Sequence, residues 1–110
     1  MDLEALKKIT SLMRTNRVLS EPTRLSIMIL LFLNIRMKFT ELQKILNLTP
    51  GNLSSHLKKL DEQGYIKIIK GFVQLKPATL IEITEKGANE LKIFMKDLKI
   101  VLEILDKSTS

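Results

Sequence analysis

Gly51, Asn52, Ser55, Lys58 and Lys59 recur at intervals that gather them on one side of a helix, with Ser54 beside them. Leu53, Leu57 and Leu60 fall on a narrow stripe opposite. The amide and hydroxyl groups can exchange hydrogen bonds with the edges of bases, and the lysines can meet phosphates. Glycine and serine keep the surface low, so another backbone can come close. Thr49 caps this helix and Pro50 takes its first position, leaving amide groups and a positive dipole end that favour a phosphate. A rod anchored by leucines and faced in this way fits the major groove of double-stranded DNA. An ordinary solvated helix face has the same outline.

Other chemistries find little support. There is no cysteine, hence no disulfide, thiol nucleophile or thiolate metal site, and one histidine cannot hold a metal alone. No Gly-x-Ser-x-Gly and no phosphate-cradling glycine loop occurs, and most carboxylates sit beside lysines on helix surfaces. No enzymatic activity and no cofactor are expected. The net charge of +6 favours polyanionic partners. It is also placed: residues 1–40 carry +4 and residues 50–86 carry +2, while residues 41–49 and 87–110 are each neutral. No apolar run approaches the roughly 18 residues of a membrane span. The N-terminus lacks the basic-then-apolar order of a signal peptide, so a cytoplasmic protein is expected.

A length of 110 residues predicts one domain, 1–110. Residues 2–16 read as an amphipathic helix with Leu6, Ile9, Leu12 and Met13 on one side. Ser20-Glu21-Pro22-Thr23 opens a second helix, with Ser20 as its cap, that runs to about Leu33 and is apolar almost all round, as suits the centre of a core. Met37-Lys38-Phe39 reads as a short extended piece. Thr40 is expected to cap a brief helix to Leu46, and the helix from Pro50 runs to about Gln63 and stops at Gly64. Residues 40–63 thus form a helix-turn-helix candidate. Residues 65–70 and 80–83 predict a two-stranded hairpin with residues 71–79 as a long tip. The last helix begins at Thr84-Glu85-Lys86-Gly87 and continues to about Asp106, with residues 107–110 as a frayed tail.

These pieces resemble a known family. Ser20-Glu21-Pro22-Thr23-Arg24-Leu25 resembles the entry to the second helix of ArsR- and MarR-type winged-helix regulators. Leu48-Thr49-Pro50-Gly51-Asn52-Leu53-Ser54-Ser55-His56-Leu57-Lys58-Lys59-Leu60 is similar to their recognition helix. Glu62-Gln63-Gly64-Tyr65-Ile66 and Ile83-Thr84-Glu85-Lys86-Gly87 match the entry to and exit from their wing. The resemblance covers nearly the whole chain and is closest to small MarR-like regulators of archaea and bacteria. It implies a mainly α (α+β) winged helix-turn-helix, with a two-stranded wing at 65–83 and long terminal helices, 1–19 and 85–106, forming a dimer interface. It implies DNA binding through Gly51, Asn52, Ser54, Ser55, Lys58 and Lys59, with Thr49 at the helix start. The family's His-Leu-x-x-Leu pattern puts His56 on the helix flank, where a phosphate contact and a hydrogen bond within the domain are both open.

The wing departs from the family. Many MarR-type wings carry Asp-x-Arg, whereas Gly71-Phe72-Val73-Gln74-Leu75-Lys76-Pro77-Ala78-Thr79 holds no arginine. Lys70, Gln74, Lys76 and Thr79 could still touch phosphates, although lysine is the weaker reader of a narrow groove. Phe72, Val73 and Leu75 suit packing on the sheet or on a partner chain better than contact with DNA, which leaves minor-groove readout open.

The last helix has two apolar sides. Leu91, Phe94, Met95, Leu98, Val101, Leu102 and Leu105 form one, and Ile93, Ile100 and Ile104 the other. A second apolar side needs a second cover. The expected interface of a homodimer is Leu6, Ile9, Met13, Ile93, Ile100 and Ile104; burial twice within one chain is the alternative. Met13, Met28, Met37, Met95 and Phe94 could line an effector cavity, but such residues ordinarily fill core, and no small-molecule effector is supported. The partners expected are double-stranded DNA and a second copy, with no membrane. The alternative reading is a winged helix used only for protein contacts in a larger transcription or chromosome assembly.

Overall fold

The computed structural model describes residues 3–109, and the side chains of Ala5, Leu12, Met13 and Thr15 lie outside that description. The elements follow in the order α1 (Leu3–Thr15), α2 (Pro22–Asn34), β1 (Arg36–Lys38), α3 (Phe39–Leu46), α4 (Pro50–Glu62), β2 (Ile66–Val73), β3 (Lys76–Ile83) and α5 (Glu85–Thr109). The mainly helical winged helix-turn-helix expected from the sequence is present. The strands form one antiparallel sheet in the order β1-β3-β2. β1 lays Met37 opposite Ile81 at the base of the wing, so the hairpin gains a third strand there.

Starts and stops follow from local chemistry, with two corrections. α2 is capped by Glu21 and not by Ser20: the Glu21 carboxylate accepts from the Arg24 N–H at 2.8 Å, while the Ser20 hydroxyl donates back to the Arg17 carbonyl. Pro22 fits the first helical position and so makes the residue before it the cap. α3 starts one residue before Thr40, with Lys38 at its cap and the Glu41 side chain accepting from the Lys38 N–H at 2.9 Å. α4 begins as expected, with Thr49 Oγ1 accepting from the Asn52 N–H at 3.1 Å and Pro50 in its first turn.

The hairpin also differs from expectation. Pairing continues from Ile66↔Ile83 to Val73↔Lys76, so the connection is only Gln74-Leu75, not a nine-residue tip. Both turn residues have positive φ, 51° and 67°, the twist that short hairpins favour and that Asn-Gly usually supplies. The last helix reaches Thr109, so residues 107–109 continue it where a frayed tail was expected.

Leu19, Ile27, Met28, Leu31, Leu42, Leu53, Leu57, Leu60, Ile66 and Ile81 are the largest fully buried side chains. They bring α2, α3, α4 and the base of the sheet onto one core. α2 is central only along its Ile27, Met28 and Leu31 side; Phe32 and Leu33, near its end, are exposed.

A tight junction ties the wing to α5. The Thr84 hydroxyl donates to the Gly64 carbonyl at 2.6 Å and accepts from the Gly87 N–H at 3.0 Å, capping α5. The Thr84 N–H donates to the Tyr65 carbonyl at 3.0 Å. Tyr65 is buried, and its hydroxyl accepts from Asn16 Nδ2 at 3.1 Å, which links the end of α1 to the same point. Gly64, with φ of 75°, makes the left-handed step out of α4.

Candidate nucleic-acid interface

α3 and α4 are joined by Asn47 in left-handed conformation, with the Leu48 N–H donating to the Gln43 carbonyl at 3.1 Å. This brief turn fixes α4 across α3, and the core then sets its rotation. Leu53, Leu57 and Leu60 are buried. Gly51, Asn52, Ser54, Ser55, Lys58 and Lys59 are all exposed, so the structure brings the six α4 residues singled out in the sequence onto one open surface. A Cβ added at Gly51 would meet nothing within 4 Å, and its backbone needs no glycine. Packing therefore does not explain this glycine; its consequence is an uncrowded helix start. Thr49 is exposed, with its oxygen engaged by the Asn52 N–H.

His56 sits on the flank of α4, half-buried. Its Nδ1 lies 3.3 Å from Arg24 Nη1, and because guanidinium only donates, Nδ1 accepts in that contact. Arg24, 8% exposed, also donates from Nε to the Val18 carbonyl at 2.8 Å and from Nη2 to the Arg17 carbonyl at 3.3 Å. Glu21 Oε2 stands 3.6 Å from His56 Nδ1. The histidine thus joins α4 to the start of α2, a contact within the domain. Arg24 in this role has only a faint mark in the sequence. That mark is a lone guanidinium inside an otherwise apolar helix, since a buried charge must find partners.

Burial pushes the Glu21 carboxyl up, but the hydrogen bonds from the Arg24 and Thr23 N–H groups and the nearby Arg24 charge outweigh it and hold the group below its ordinary value of 4.5. A lowered folded-state pKa gives stability that is present above 4.5 and lost as pH falls through the folded value. Glu21→Ala is expected to cost about 1 kcal/mol at pH 7, the usual worth of a helix cap, and less at pH 3, below the ordinary value, where part of the stability given by the charged group has been lost. Urea unfolding at both pH values checks this; an equal difference at the two would contradict it.

The wing carries a second group. Lys70, Gln74 and Lys76 are exposed, and Thr79 is half-buried. With Lys38 and Thr40 they border a cleft of about 710 Å³ between the hairpin and the start of α3. In the sequence Lys38 and Thr40 suggest only strand and cap, because their approach to the wing depends on the β1 to β3 pairing. Lys58, Lys59, Lys70 and Lys76 hold no ion pair among the described residues. Phe72 and Leu75 do not pack on the sheet, contrary to one of the two expectations for them; they are 74% and 96% exposed. A mainly two-stranded projection has no third layer to cover them.

Of the residues expected at a dimer interface, Leu6, Ile93 and Ile100 are exposed and Ile104 is half-buried. Ile9 packs against the chain's own core, and the Met13 side chain lies outside the described residues. α1 lies along α5, where Lys8 Nζ meets Asp97 Oδ1 at 2.9 Å. Even so, Met95, Leu102 and Leu105 remain exposed on the flank of the stripe that buries Leu91, Phe94 and Val101.

A family model described as a winged helix DNA-binding domain matches residues 23–102, from α2 into α5. An uncharacterized protein of Methanocaldococcus jannaschii is 34% identical over 82 residues, which cover 74% of this chain and 89% of that protein. A transcriptional regulator homologue from Pyrococcus horikoshii is similar in structure, with 39% identity, a TM-score of 0.85, and coverage of 91% of this chain and 98% of that one. A MarR-like transcriptional regulator from Thermotoga maritima shares the fold at 22% identity and a TM-score of 0.62, with coverage of 100% of this chain and 84% of that one. With its helix-turn-helix, its wing and its long last helix, the chain belongs to the winged helix DNA-binding domain family and has the fold of MarR-like regulators.

Proposed function

We propose that the chain is a transcriptional regulator that binds double-stranded DNA as a homodimer, with α4 of each copy in a major groove. The observation that carries this reading is the outer face of α4: two lysines that hold no ion pair among the described residues, an asparagine, two serines and a glycine without a packing role, all open to solvent. Thr49, Gly51, Asn52, Ser54 and Ser55 face base edges and the nearest phosphate, and Lys58 and Lys59 face the backbone. Lys70, Gln74 and Lys76 extend the contact along the flanking duplex. The Pyrococcus relative, called a transcriptional regulator homologue, supports the same role. Lysines open on this face beside small polar residues suit a polyanion with readable edges better than a protein surface, so the DNA reading is preferred.

Titrating a labelled duplex across a salt series tests this directly. Contacts to several phosphates give affinity that falls steeply with salt, by roughly 0.9 in the log–log slope for each contact. A flat response, or no binding, would overturn the proposal.

The second copy covers the apolar remainder of α5. Ile93 is 56% and Leu102 54% exposed on a helix that already serves its own core, and an isologous pairing of the α1 and α5 faces would bury them. The neutral charge balance of residues 87–110 leaves the α5 part of that pairing without net repulsion. Two copies would then address half-sites about one DNA turn, or a multiple, apart. Ile100→Lys is expected to move the protein to a 12.6 kDa species in sedimentation at micromolar concentration. Wild type sedimenting at that mass would contradict the dimer.

A further inference from the structure

We infer that Leu75, at the tip of the wing, is an apolar wedge that enters the minor groove beside the site of α4 and opens a base step, bending the DNA. This inference rests on the DNA-binding reading and goes beyond it by assigning the tip an architectural task.

Folding does not ask for leucine here. The side chain is 96% exposed, and Phe72, three positions earlier, is 74% exposed, so neither contributes much to the core. The turn residues Gln74 and Leu75 both hold positive φ; a left-handed leucine costs about 1 kcal/mol relative to glycine, which fits the turn without strain. A strained backbone that holds an apolar group out in water is unfavourable for the isolated protein twice over. It becomes useful when that group is inserted into something.

Charge and shape select the occupant. No carboxylate occurs between residues 65 and 81, while Lys67, Lys70 and Lys76 do. A basic ribbon is drawn to a polyanion and repelled by a second copy of a chain that carries +6. β1 pairs only as far as Lys38↔Leu80, and the ribbon from Lys70↔Thr79 to Val73↔Lys76 continues past it. Four residues at about 3.3 Å each add roughly 13 Å of reach. The minor groove is about 6 Å wide, too narrow for the ribbon but open to one side chain at its tip. Leucine is among the side chains that part base steps in this groove, and with no arginine on the wing, insertion replaces the usual cationic readout. Lys70 and Lys76 then lie near the phosphates that border the opened step.

The experiment uses the full chain and a duplex selected by it, labelled at both ends for energy transfer. Wild type is expected to shorten the end-to-end distance by a bend of at least about 20°. Gln74→Asn with Leu75→Gly restores the favoured turn sequence, so misfolding is not at issue. That variant is expected to bind the same duplex unbent and roughly tenfold more weakly. Lys58→Ala with Lys59→Ala separates the two readings. If it loses binding while the turn variant bends and binds like wild type, the wedge fails and the DNA reading stands. If wild type does not bind duplex at all, both fail. Two further results would also overturn the wedge: Leu75-dependent binding to phosphatidylserine vesicles without DNA bending, and a turn variant that loses the dimer in sedimentation.

Discussion

Alanine at both Lys58 and Lys59 is expected to weaken duplex binding by roughly 10- to 100-fold near physiological salt and to flatten the salt slope by about one to two units for each subunit. Both side chains are exposed on α4 without an ion pair among the described residues, while Leu57 and Leu60 beside them hold the helix to the core. The substitutions therefore remove charge without disturbing packing, and thermal unfolding should stay within about 0.5 kcal/mol of wild type. The loss should be similar for every duplex sequence, because lysine at a phosphate reads no base. Asn52→Ala should behave differently, changing preference among sequences by about 1–3 kcal/mol for a lost base contact. Fluorescence anisotropy with one selected and one unrelated duplex distinguishes the two patterns. Undiminished affinity in the double variant would mean that α4 faces something other than DNA.

The second large effect concerns stability. Gly87→Ala is expected to destabilise the fold by about 3 kcal/mol, a large share of the roughly 5–15 kcal/mol that holds a domain together. A Cβ on Gly87 would collide with the Tyr65 carbonyl oxygen and come within 3.0 Å of Met28 Cε. That carbonyl cannot withdraw easily, because it accepts the Thr84 N–H at 3.0 Å, and the Tyr65 hydroxyl is tied to Asn16. Relief would require shifting α5 away from the entry to the wing, which would loosen the platform on which α4 ends. The loss corresponds to a fall in melting temperature of about 10–20 °C. Gly51→Ala and Gly71→Ala are the controls: a Cβ at either meets nothing within 4 Å, and neither backbone is left-handed. A melting temperature unchanged by Gly87→Ala would show that the junction yields, and the tight crossing would then lose its structural weight.

Which parts of this could be read from residues alone depended on the range of the interactions. The rotation of α4 was legible because three leucines at helical spacing leave only one side for the core, and Leu53, Leu57 and Leu60 are buried accordingly. Its start was legible because Thr49 and Pro50 act on their own helix. The cap of α2 was misplaced by one residue. Ser20 and Glu21 both have the chemistry, but Pro22 at the first helical position sets the cap at Glu21, where the hydrogen bond from Arg24 forms. The wing tip was misread for a physical reason: Gln74-Leu75 makes a left-handed turn without Asn or Gly, so the usual marker was absent and the pairing of Val73 with Lys76 went unseen. β1 is three residues long and gains its meaning from Ile81, more than forty positions later. The burial of Arg24 is likewise tertiary, since its partners come from the preceding loop and from α4.

The most direct measurement is a titration of isotope-labelled protein with a selected duplex, followed through backbone amide resonances. Signals of Gly51, Asn52, Ser54, Ser55, Lys58 and Lys59 should shift first and furthest, those of the wing tip should follow, and the exposed face of α5 should stay still. Shifts confined to α5 or to the α1 surface, with residues 51–59 unmoved at saturation, would contradict the assignment of α4 as the helix that enters DNA.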